Sequence, residues 1–240
     1  MSKQVPKAFR PGLNNPFYFI RRALLGKVQE YAPQLQGKLL DFGCGSKPYE
    51  SLFTGVSEYI GLDYEGEGHS HRDEQVDVFY DGKHIPFPDQ TFDSVFSSEV
   101  IEHIFNSEVI LPELNRVMKG GARILITCPF AWPEHEIPVD YARYTRFALR
   151  HLLEMNGFTI LALDKSGDFS KAIYQMKMVY LSEHLIPAIP LLGRSKFFRV
   201  SIAPGIYFLA NSWYSFKHWL LPKRKDWYLN NIVLAKKNEA

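Results

Sequence analysis

Two glycines and two acids near the start of the chain have the spacing of a cofactor site. Gly43 and Gly45 follow the apolar run 39–42, and Asp63 ends a second apolar run 22 residues beyond Asp41. Glycine lets the backbone turn sharply and approach a ligand, and a carboxylate at the end of the next strand suits hydrogen bonding to ribose hydroxyls. The pattern predicts a site for a cofactor that contains adenosine.

The residues after this turn distinguish between cofactor classes. A dinucleotide fingerprint requires a third glycine where Lys47 and Pro48 stand, which disfavours a nucleotide-dependent oxidoreductase. The segment 41–45 reads acid, any residue, glycine, any residue, glycine. This pattern instead resembles the first motif of class I S-adenosylmethionine-dependent methyltransferases, in particular of those similar to methyltransferase type 11.

Further segments resemble the same family in the same order, so that the resemblance covers roughly residues 38–164. Asp63 closes the second strand, segments 81–89 and 91–93 precede the fourth, and segment 114–121 introduces the fifth. The resemblance implies an α/β fold: a Rossmann-like three-layer sandwich whose seven-stranded, mostly parallel sheet has the order 3-2-1-4-5-7-6, with extra C-terminal helices before the last strand. It also implies S-adenosyl-L-methionine as the cofactor.

The resemblance assigns cofactor binding to ten residues: Asp41, Gly43, Cys44, Gly45, Asp63, Tyr64, Asp81, Gly82, Ser97 and Glu99. Asp41 would hold the methionine part of the cofactor, although an acid there also commonly caps a turn. Asp81 would receive the adenine amino group, although Asp-Gly is equally a strong turn dipeptide. Ile85 and Phe87 would either wall the adenine or belong to the core.

Apolar periodicity predicts the elements that position these residues. We expect an N-terminal helix over 17–31 and strands at 38–42, 58–63, 76–80, 92–98, 122–128, 158–163 and 227–235. A helix over 145–156 has Thr145 as its N-cap and Gly157 just past its end. Ligands of such sheets bind at the carboxyl ends of the strands, where the glycine turn stands.

The length of 240 residues fits one domain with additions. We expect an N-terminal helical cap over 1–36, a cofactor-binding core over 37–168, a helical insertion over 169–222 that serves substrate or interface, and a last strand and tail over 223–240.

The segment 129–145 combines prolines, aromatic residues and titratable side chains. It resembles the acceptor-side loop of small-molecule methyltransferases, several encoded with surface-glycan enzymes, which suggests polysaccharide biosynthesis. Histidine titrates near neutral pH, so His135 is the candidate base for a hydroxyl acceptor, with Glu134 or Asp140 orienting it. The alternative is that His135 and Arg143 only hold the loop together through Asp140 or Glu136.

Glu102 and His103 are expected to open the helix after strand four as supporting residues. No metal is predicted, because neither Glu134, His135 and Glu136 near His103 nor His69 with His71 has a metal-ligand spacing. Cys128 is similar to the strand-end cysteine of RNA cytosine methyltransferases, but their second Pro-Cys element is absent, since Ser97 and Ser98 stand there.

Charge and composition bear on partners and location. With 28 basic and 26 acidic residues the net charge is +2, which implies no nucleic-acid partner. Two cysteines and a polar N-terminus predict a cytoplasmic protein. The apolar, aromatic region 169–225 is first expected to be a helical subdomain whose aromatic residues pack among themselves. It also leaves open an acyl or prenyl acceptor, a second subunit in a homodimer, or peripheral contact with the inner face of the membrane.

These observations lead to one expected function and its competitors. We expect methyl transfer from S-adenosylmethionine to a small-molecule or glycan-like acceptor, which could be lipid-linked, most simply at oxygen. A non-catalytic cofactor-binding module and an RNA or protein methyltransferase are the alternatives.

Overall fold

The computed structural model describes residues 4–66 and 75–239, which form two compact units. The sheet unit comprises the described residues up to Val5, Lys27–Asp164 and the chain from Asn230 onward; the helical unit comprises Pro6–Gly26 and Lys165–Leu229. The division at residues 164 and 165 lies close to the boundary expected at 168. The predicted last segment, 223–240, is shared between the two units.

The sheet has the predicted strand order, β3-β2-β1-β4-β5-β7-β6. Neighbouring strands among β1 to β5 run parallel, and β7 pairs antiparallel with β5. The strands are β1 Gly37–Phe42, β2 Val56–Tyr64, β3 Val78–Tyr80, β4 Phe92–Ser98, β5 Met118–Pro129, β6 Phe158–Ser166 and β7 Asn230–Lys237. This topology confirms the predicted Rossmann-like α/β fold.

The central strands are buried on both faces, as the apolar runs in the sequence require. Leu39 and Leu40 point to opposite faces of β1, yet both are buried, and the same is true of Leu125 and Ile126 in β5. Because both faces are covered, the polar side chains that serve a ligand collect at the strand ends rather than on a sheet face.

The helices are α1 Tyr18–Tyr31, α2 Ser107–Val117, α3 Arg146–Met155, α4 Phe169–Val179, α5 Ile186–Ala188, α6 Pro190–Gly193 and α7 Ala203–His218, with π-helical turns at Tyr180–Leu185 and Phe198–Ile202. The boundaries predicted for α3 are confirmed: Thr145 accepts a hydrogen bond from the amide of Ala148, and Gly157 has φ +80° just past the end.

Glu102 and His103 do not open a long helix, contrary to expectation. They form a single 3-10 turn, Ile101–His103, and α2 begins only at Ser107. The turn stops because Ile104 leaves the helical region, with ψ 106°. The short turn leaves Glu102 and His103 at the end of β4 instead of along a helix.

Ile85 and Phe87 belong to the core. Ile85 is fully buried, and the ring of Phe87 packs edge-on against Phe92, with centroids 4.9 Å apart. Arg116 holds this segment in place, because its guanidinium donates to the carbonyl oxygens of both residues and pairs with Glu113. The sequence left open whether these residues wall the adenine or belong to the core, and the structure supports packing in the core.

The helical unit has its own buried polar and aromatic contacts. Asn211 of α7 is fully buried and donates to the carbonyl oxygens of Leu13 and Asn15. Tyr214 stacks on Tyr174 at 3.9 Å between ring centroids. None of the helices within 4–66 and 75–239 combines the length and apolarity needed to cross a bilayer.

Candidate active site

A cavity of about 440 Å³ lies at the carboxyl ends of the first four strands. Seven of the ten predicted cofactor residues line it: Gly43, Gly45, Asp63, Tyr64, Asp81, Gly82 and Glu99. Its other end is lined by residues of the 3-10 turn and of the loop after β5, among them His103, Glu136, Val139 and Tyr141. We call the part lined by the predicted cofactor residues the cofactor end, and the part lined by the 3-10 turn and the loop after β5 the acceptor end; both lie within the sheet unit.

The glycine turn is imposed by backbone geometry. Gly43 has φ +74°, and a Cβ at this position would lie 2.3 Å from a methyl carbon of Val100. Gly45 has φ +47°, and its amide donates to Asp63 Oδ2 over 2.8 Å. No other residue type fits at Gly43 without moving Val100, so the backbone at this point can approach a ligand closely.

Asp63 joins the ends of β1 and β2. Its second carboxylate oxygen accepts a hydrogen bond from the amide of Tyr64 at 2.8 Å, and the side chain lines the cavity beside the Tyr64 ring. A carboxylate held in this way by backbone amides is a fixed acceptor for ligand hydroxyl groups.

Asp81 and Gly82 form both a turn and part of the cavity wall. Asp81 accepts hydrogen bonds from the amides of Lys83 and His84, and these bonds lower the pKa of its carboxyl. Gly82 has φ +79°, and a Cβ there would approach the Tyr64 ring to 2.8 Å. Tyr80, which our sequence interpretation overlooked, lines the same end as a β3 residue. Tyr80 belongs to no sequence motif, so only its position at the end of β3 brings it to the cavity.

Three predicted cofactor residues are not among the cavity-lining residues. Asp41 is buried and accepts a hydrogen bond from the Tyr59 hydroxyl at 2.6 Å; its burial raises the pKa of the carboxyl to about 7. The Cys44 thiol is buried, which raises its pKa. Ser97 is buried beside a separate small void. Their side chains support the glycine turn and the cavity wall without facing the cavity.

Glu99 sits where the two ends of the cavity meet. It has φ +58°, an uncommon conformation for a non-glycine residue. Its carboxylate oxygens accept hydrogen bonds from the Thr127 hydroxyl at 2.8 Å and the Asn230 amide at 2.7 Å. These bonds stabilise the strained backbone conformation of Glu99, and strain of this kind is typical of ligand-binding sites.

The loop after β5 is held together by Arg143. Its guanidinium bonds both oxygens of the buried Asp140, at 2.6 and 2.7 Å, and also donates to the carbonyl oxygens of Trp132 and Pro133. The pairing holds the pKa of the Asp140 carboxyl well below its usual range. The amides of Tyr141 and Ala142 bond the carbonyl oxygen of Glu102, which ties the loop to the 3-10 turn. Arg143 and Asp140 therefore organise the loop.

His135 lies behind His103 as seen from the cavity. Its amide bonds Asp140, and its Nδ1 is 3.2 Å from Asp140 Oδ2 and 3.4 Å from the Arg143 guanidinium. Its ring meets His103 edge-on, with centroids 4.8 Å apart, and only His103 of the two lines the cavity. Glu134 is exposed and does not line the cavity.

His103 has a defined orientation. Its Nδ1 lies 2.7 Å from the carbonyl oxygen of Val139, so Nδ1 carries a proton and Nε2 is the free basic nitrogen. Nε2 lies 3.6 Å from Glu136 and 3.8 Å from Glu102. Burial lowers the pKa of His103, so the ring is neutral at pH 7 and able to accept a proton. The Glu-His pair at 102–103 was the sequence feature that pointed to this residue.

Glu102 is a buried acid whose two carboxylate oxygens have no hydrogen-bond partner. Burial, with the nearby charge of Glu99, raises its pKa well above the usual range. Across residues 4–66 and 75–239, donor atoms of Glu102, His103 and His135 lie within 4.8 Å of one another, a grouping that could hold a metal ion. His69 and His71 fall outside the described residues.

Comparison with known proteins agrees with the fold. Residues 40–126 match a family model described as a methyltransferase domain. A probable S-adenosylmethionine-dependent methyltransferase of Mycolicibacterium smegmatis is 28% identical over 66% of this chain and 62% of its own length. A demethylmenaquinone methyltransferase of Streptomyces griseus is 32% identical over 47% of this chain and 50% of its own length. The aligned segments thus span less than two thirds of either relative.

Solved structures resemble the chain in fold at low identity. The [4+2]-cyclase SpnF has a TM-score of 0.57 at 19% identity, covering 96% of this chain and 86% of its own. Phosphoethanolamine N-methyltransferase 2 of Haemonchus contortus, solved with S-adenosyl-L-methionine, has a TM-score of 0.52 at 16% identity, covering 91% of this chain and 52% of its own.

The predicted cofactor, S-adenosyl-L-methionine, is the one named for the relatives and bound in the Haemonchus structure. The cavity's cofactor end fits such a molecule, because a glycine turn, fixed carboxylates and tyrosine rings line it. In strand order, in the matched segment and in its named relatives, this chain is similar to S-adenosylmethionine-dependent methyltransferases.

Proposed function

We propose that the protein transfers the methyl group of S-adenosylmethionine to a hydroxyl oxygen of a small-molecule or glycan-like acceptor. The observation that carries this proposal is the single cavity that joins the glycine turn to His103. When bound, the cofactor supplies an electrophilic methyl group; the protein's part is to align the acceptor oxygen with it and exclude water.

The cofactor end supports binding through groups already held in place. Asp63 offers carboxylate oxygens to the ribose, and the Tyr64 and Tyr80 rings offer apolar surfaces for a flat base. The Gly43 backbone lines the cavity, so that the chain of the cofactor could pass over the turn there. These residues would bind and orient the donor without taking part in proton transfer.

At the acceptor end, His103 is the group best suited to remove the hydroxyl proton. Its Nε2 is unprotonated, faces the cavity-lining Glu136 and would gain charge in a site where that carboxylate stabilises it. His135, our candidate from the sequence, packs against the His103 ring and is anchored by Asp140. We therefore assign proton removal to His103, and positioning of that ring to His135.

Matched histidine substitutions test these assignments. We expect His103→Ala to lower turnover by about 100-fold or more while the affinity for S-adenosylhomocysteine stays within about twofold, because general-base catalysis typically contributes that much. His135→Ala should cost less turnover and leave the pH profile intact. A larger loss in His135→Ala than in His103→Ala would instead favour His135 as the base. His84, an exposed histidine paired with Glu113, provides the control in His84→Ala.

Product detection distinguishes methyl transfer from the alternatives. Labelled S-adenosylmethionine is incubated with a panel of sugars, glycolipids and demethylmenaquinone, the acceptor in the name of the Streptomyces griseus relative. Acceptor-dependent release of S-adenosylhomocysteine, with the labelled methyl group found on an oxygen of the product, supports the proposal; a product methylated at carbon or nitrogen would overturn the assignment to a hydroxyl oxygen. Tight cofactor binding with no product from any acceptor, or from a cell extract, would favour a non-catalytic binding module.

A further inference from the structure

The helical unit contains a stretch of one charge sign. Between His184 and Lys225 the chain has no aspartate or glutamate, and it has seven basic residues: Arg194, Lys196, Arg199, Lys217, Lys223, Arg224 and Lys225. The chain as a whole has almost equal numbers of basic and acidic residues, so this segment departs sharply from the balance elsewhere.

Helix α7 within this stretch has two apolar faces, and only one is covered. Ala203, Tyr207, Asn211 and Tyr214 form the buried face. The opposite stripe of the helix consists of Ile206, Leu209, Trp213 and Phe216, and Leu220 continues it just past the end of the helix; all five are exposed. Within residues 4–66 and 75–239, this aliphatic and tryptophan face is therefore left largely uncovered.

The exposed apolar surface extends beyond the helix. The side chains of Trp219 and Leu191 are 79% and 82% exposed, and those of Phe197 and Val200 are 69% and 66% exposed. Basic groups lie among them: the Lys217 ammonium is 5.7 Å from the centre of the Trp213 ring. An exposed set of tryptophan, phenylalanine and leucine mixed with lysine and arginine is characteristic of segments that lie in a membrane interface.

We propose that this basic aromatic face, residues 184–225 of the helical unit, binds the surface of an anionic lipid bilayer. Tryptophan and aliphatic side chains would enter the headgroup region, and the lysines and arginines would pair with lipid phosphates. The proposal goes beyond the methyl-transfer proposal and does not depend on it, because every residue used lies outside the cavity.

Charge distinguishes this partner from a second copy of the chain. In a two-fold dimer the same patch meets itself, so the seven basic residues would face one another with no acid in the segment to offset them. A negatively charged lipid surface offers the complementary sign over the whole face.

Vesicle co-sedimentation of the full chain tests the proposal. We expect binding to vesicles of phosphatidylcholine mixed with phosphatidylglycerol to be at least about tenfold tighter than to phosphatidylcholine alone, and to weaken as salt is raised, because the attraction is screened. Binding should also shift tryptophan emission to shorter wavelength in a Trp132→Phe, Trp227→Phe background, where Trp213 and Trp219 are the remaining reporters. Equal, weak binding to both vesicle types would overturn the proposal.

Paired variants separate the apolar and ionic contributions. Trp213→Ser with Trp219→Ser should abolish most of the binding measured by co-sedimentation, whereas Lys223→Glu with Arg224→Glu and Lys225→Glu should remove the preference for anionic lipid. Phe147→Ser, which changes an equally exposed phenylalanine on α3 of the sheet unit, should leave binding unchanged. Unchanged thermal unfolding shows that the variants fold. A dimer in sedimentation equilibrium that the tryptophan variant converts to monomer, without vesicle binding by either form, would assign the face to a second subunit.

Discussion

The two ends of the cavity are built by different means. At the cofactor end, the decisive features are backbone conformations and carboxylates that accept backbone amides, as at Gly43, Asp63 and Asp81. At the acceptor end, the main support comes from one side-chain pair: the Arg143 guanidinium binds both oxygens of Asp140 and also donates to the carbonyl oxygens of Trp132 and Pro133. A donor common to many enzymes can be held by backbone, whereas an acceptor that varies is held by replaceable side chains.

The largest effect should come from breaking the cofactor end. Gly43→Ala places a Cβ 2.3 Å from Val100 at a residue with φ +74°, so the turn must move. We expect S-adenosylhomocysteine affinity, measured by calorimetry, to fall by about 100-fold or more, and turnover to be lost with it, because the backbone no longer fits the ligand.

Gly120→Ala is the matched control for this variant. Gly120 is in the same unit, and a Cβ there meets no atom within 4 Å. Its cofactor affinity should remain that of the native protein. Native affinity in Gly43→Ala, together with native unfolding, would mean that the turn does not contact the cofactor.

Breaking the acceptor end should separate turnover from cofactor binding. Arg143→Ala leaves the buried Asp140 carboxylate without its partner and frees the loop that carries Glu136 and Tyr141. We expect turnover to fall by about 100-fold, as a misplacement of about 1 Å can cause, while cofactor affinity changes little. A lowered unfolding temperature should accompany this, since an unpaired buried charge destabilises the fold.

Arg150→Ala serves as the control, because Arg150 pairs with Glu154 on the exposed face of α3. It should affect neither turnover nor unfolding temperature measurably. If Arg143→Ala weakened cofactor binding as much as it lowered turnover, the two ends would not be separable in the way the contacts suggest.

The pH dependence of kcat/KM should sharpen the comparison further. A base must be unprotonated, so activity should rise with pH and level off as His103 loses its proton. Burial lowers the pKa of His103, so the midpoint should lie below about 6.5, the ordinary value for histidine. Glu136→Gln removes a carboxylate 3.6 Å from Nε2 that favours the protonated form, so the midpoint should fall further. A midpoint that Glu136→Gln leaves unmoved would point to a different base.

The difference between the two ends of the cavity also explains which features the sequence could predict. The N-cap of α3 and the residues of the glycine turn follow from local patterns, since each depends on neighbours a few residues away, whereas the strand order was implied by the family resemblance. His103 and His135 come together only because Val139, Asp140 and the 3-10 turn meet across more than thirty residues of chain. Sequence motifs therefore pointed to His135 as the base. They could not show that His103 lies between His135 and the cavity.

The smallest effect should come from removing metal ions. Glu102, His103 and His135 converge, but burial raises the pKa of Glu102, which disfavours the deprotonated carboxylate that a metal ion needs as a ligand. We expect turnover to be unchanged after dialysis against a chelator, whereas added Zn²⁺ should inhibit, because it would occupy the His103 nitrogen that accepts the proton. Glu102→Gln, which keeps the shape of a protonated acid, should retain most turnover. Loss of activity in chelator that Zn²⁺ restores, and that Glu102→Gln mimics, would instead make the cluster a metal site and the histidines its ligands.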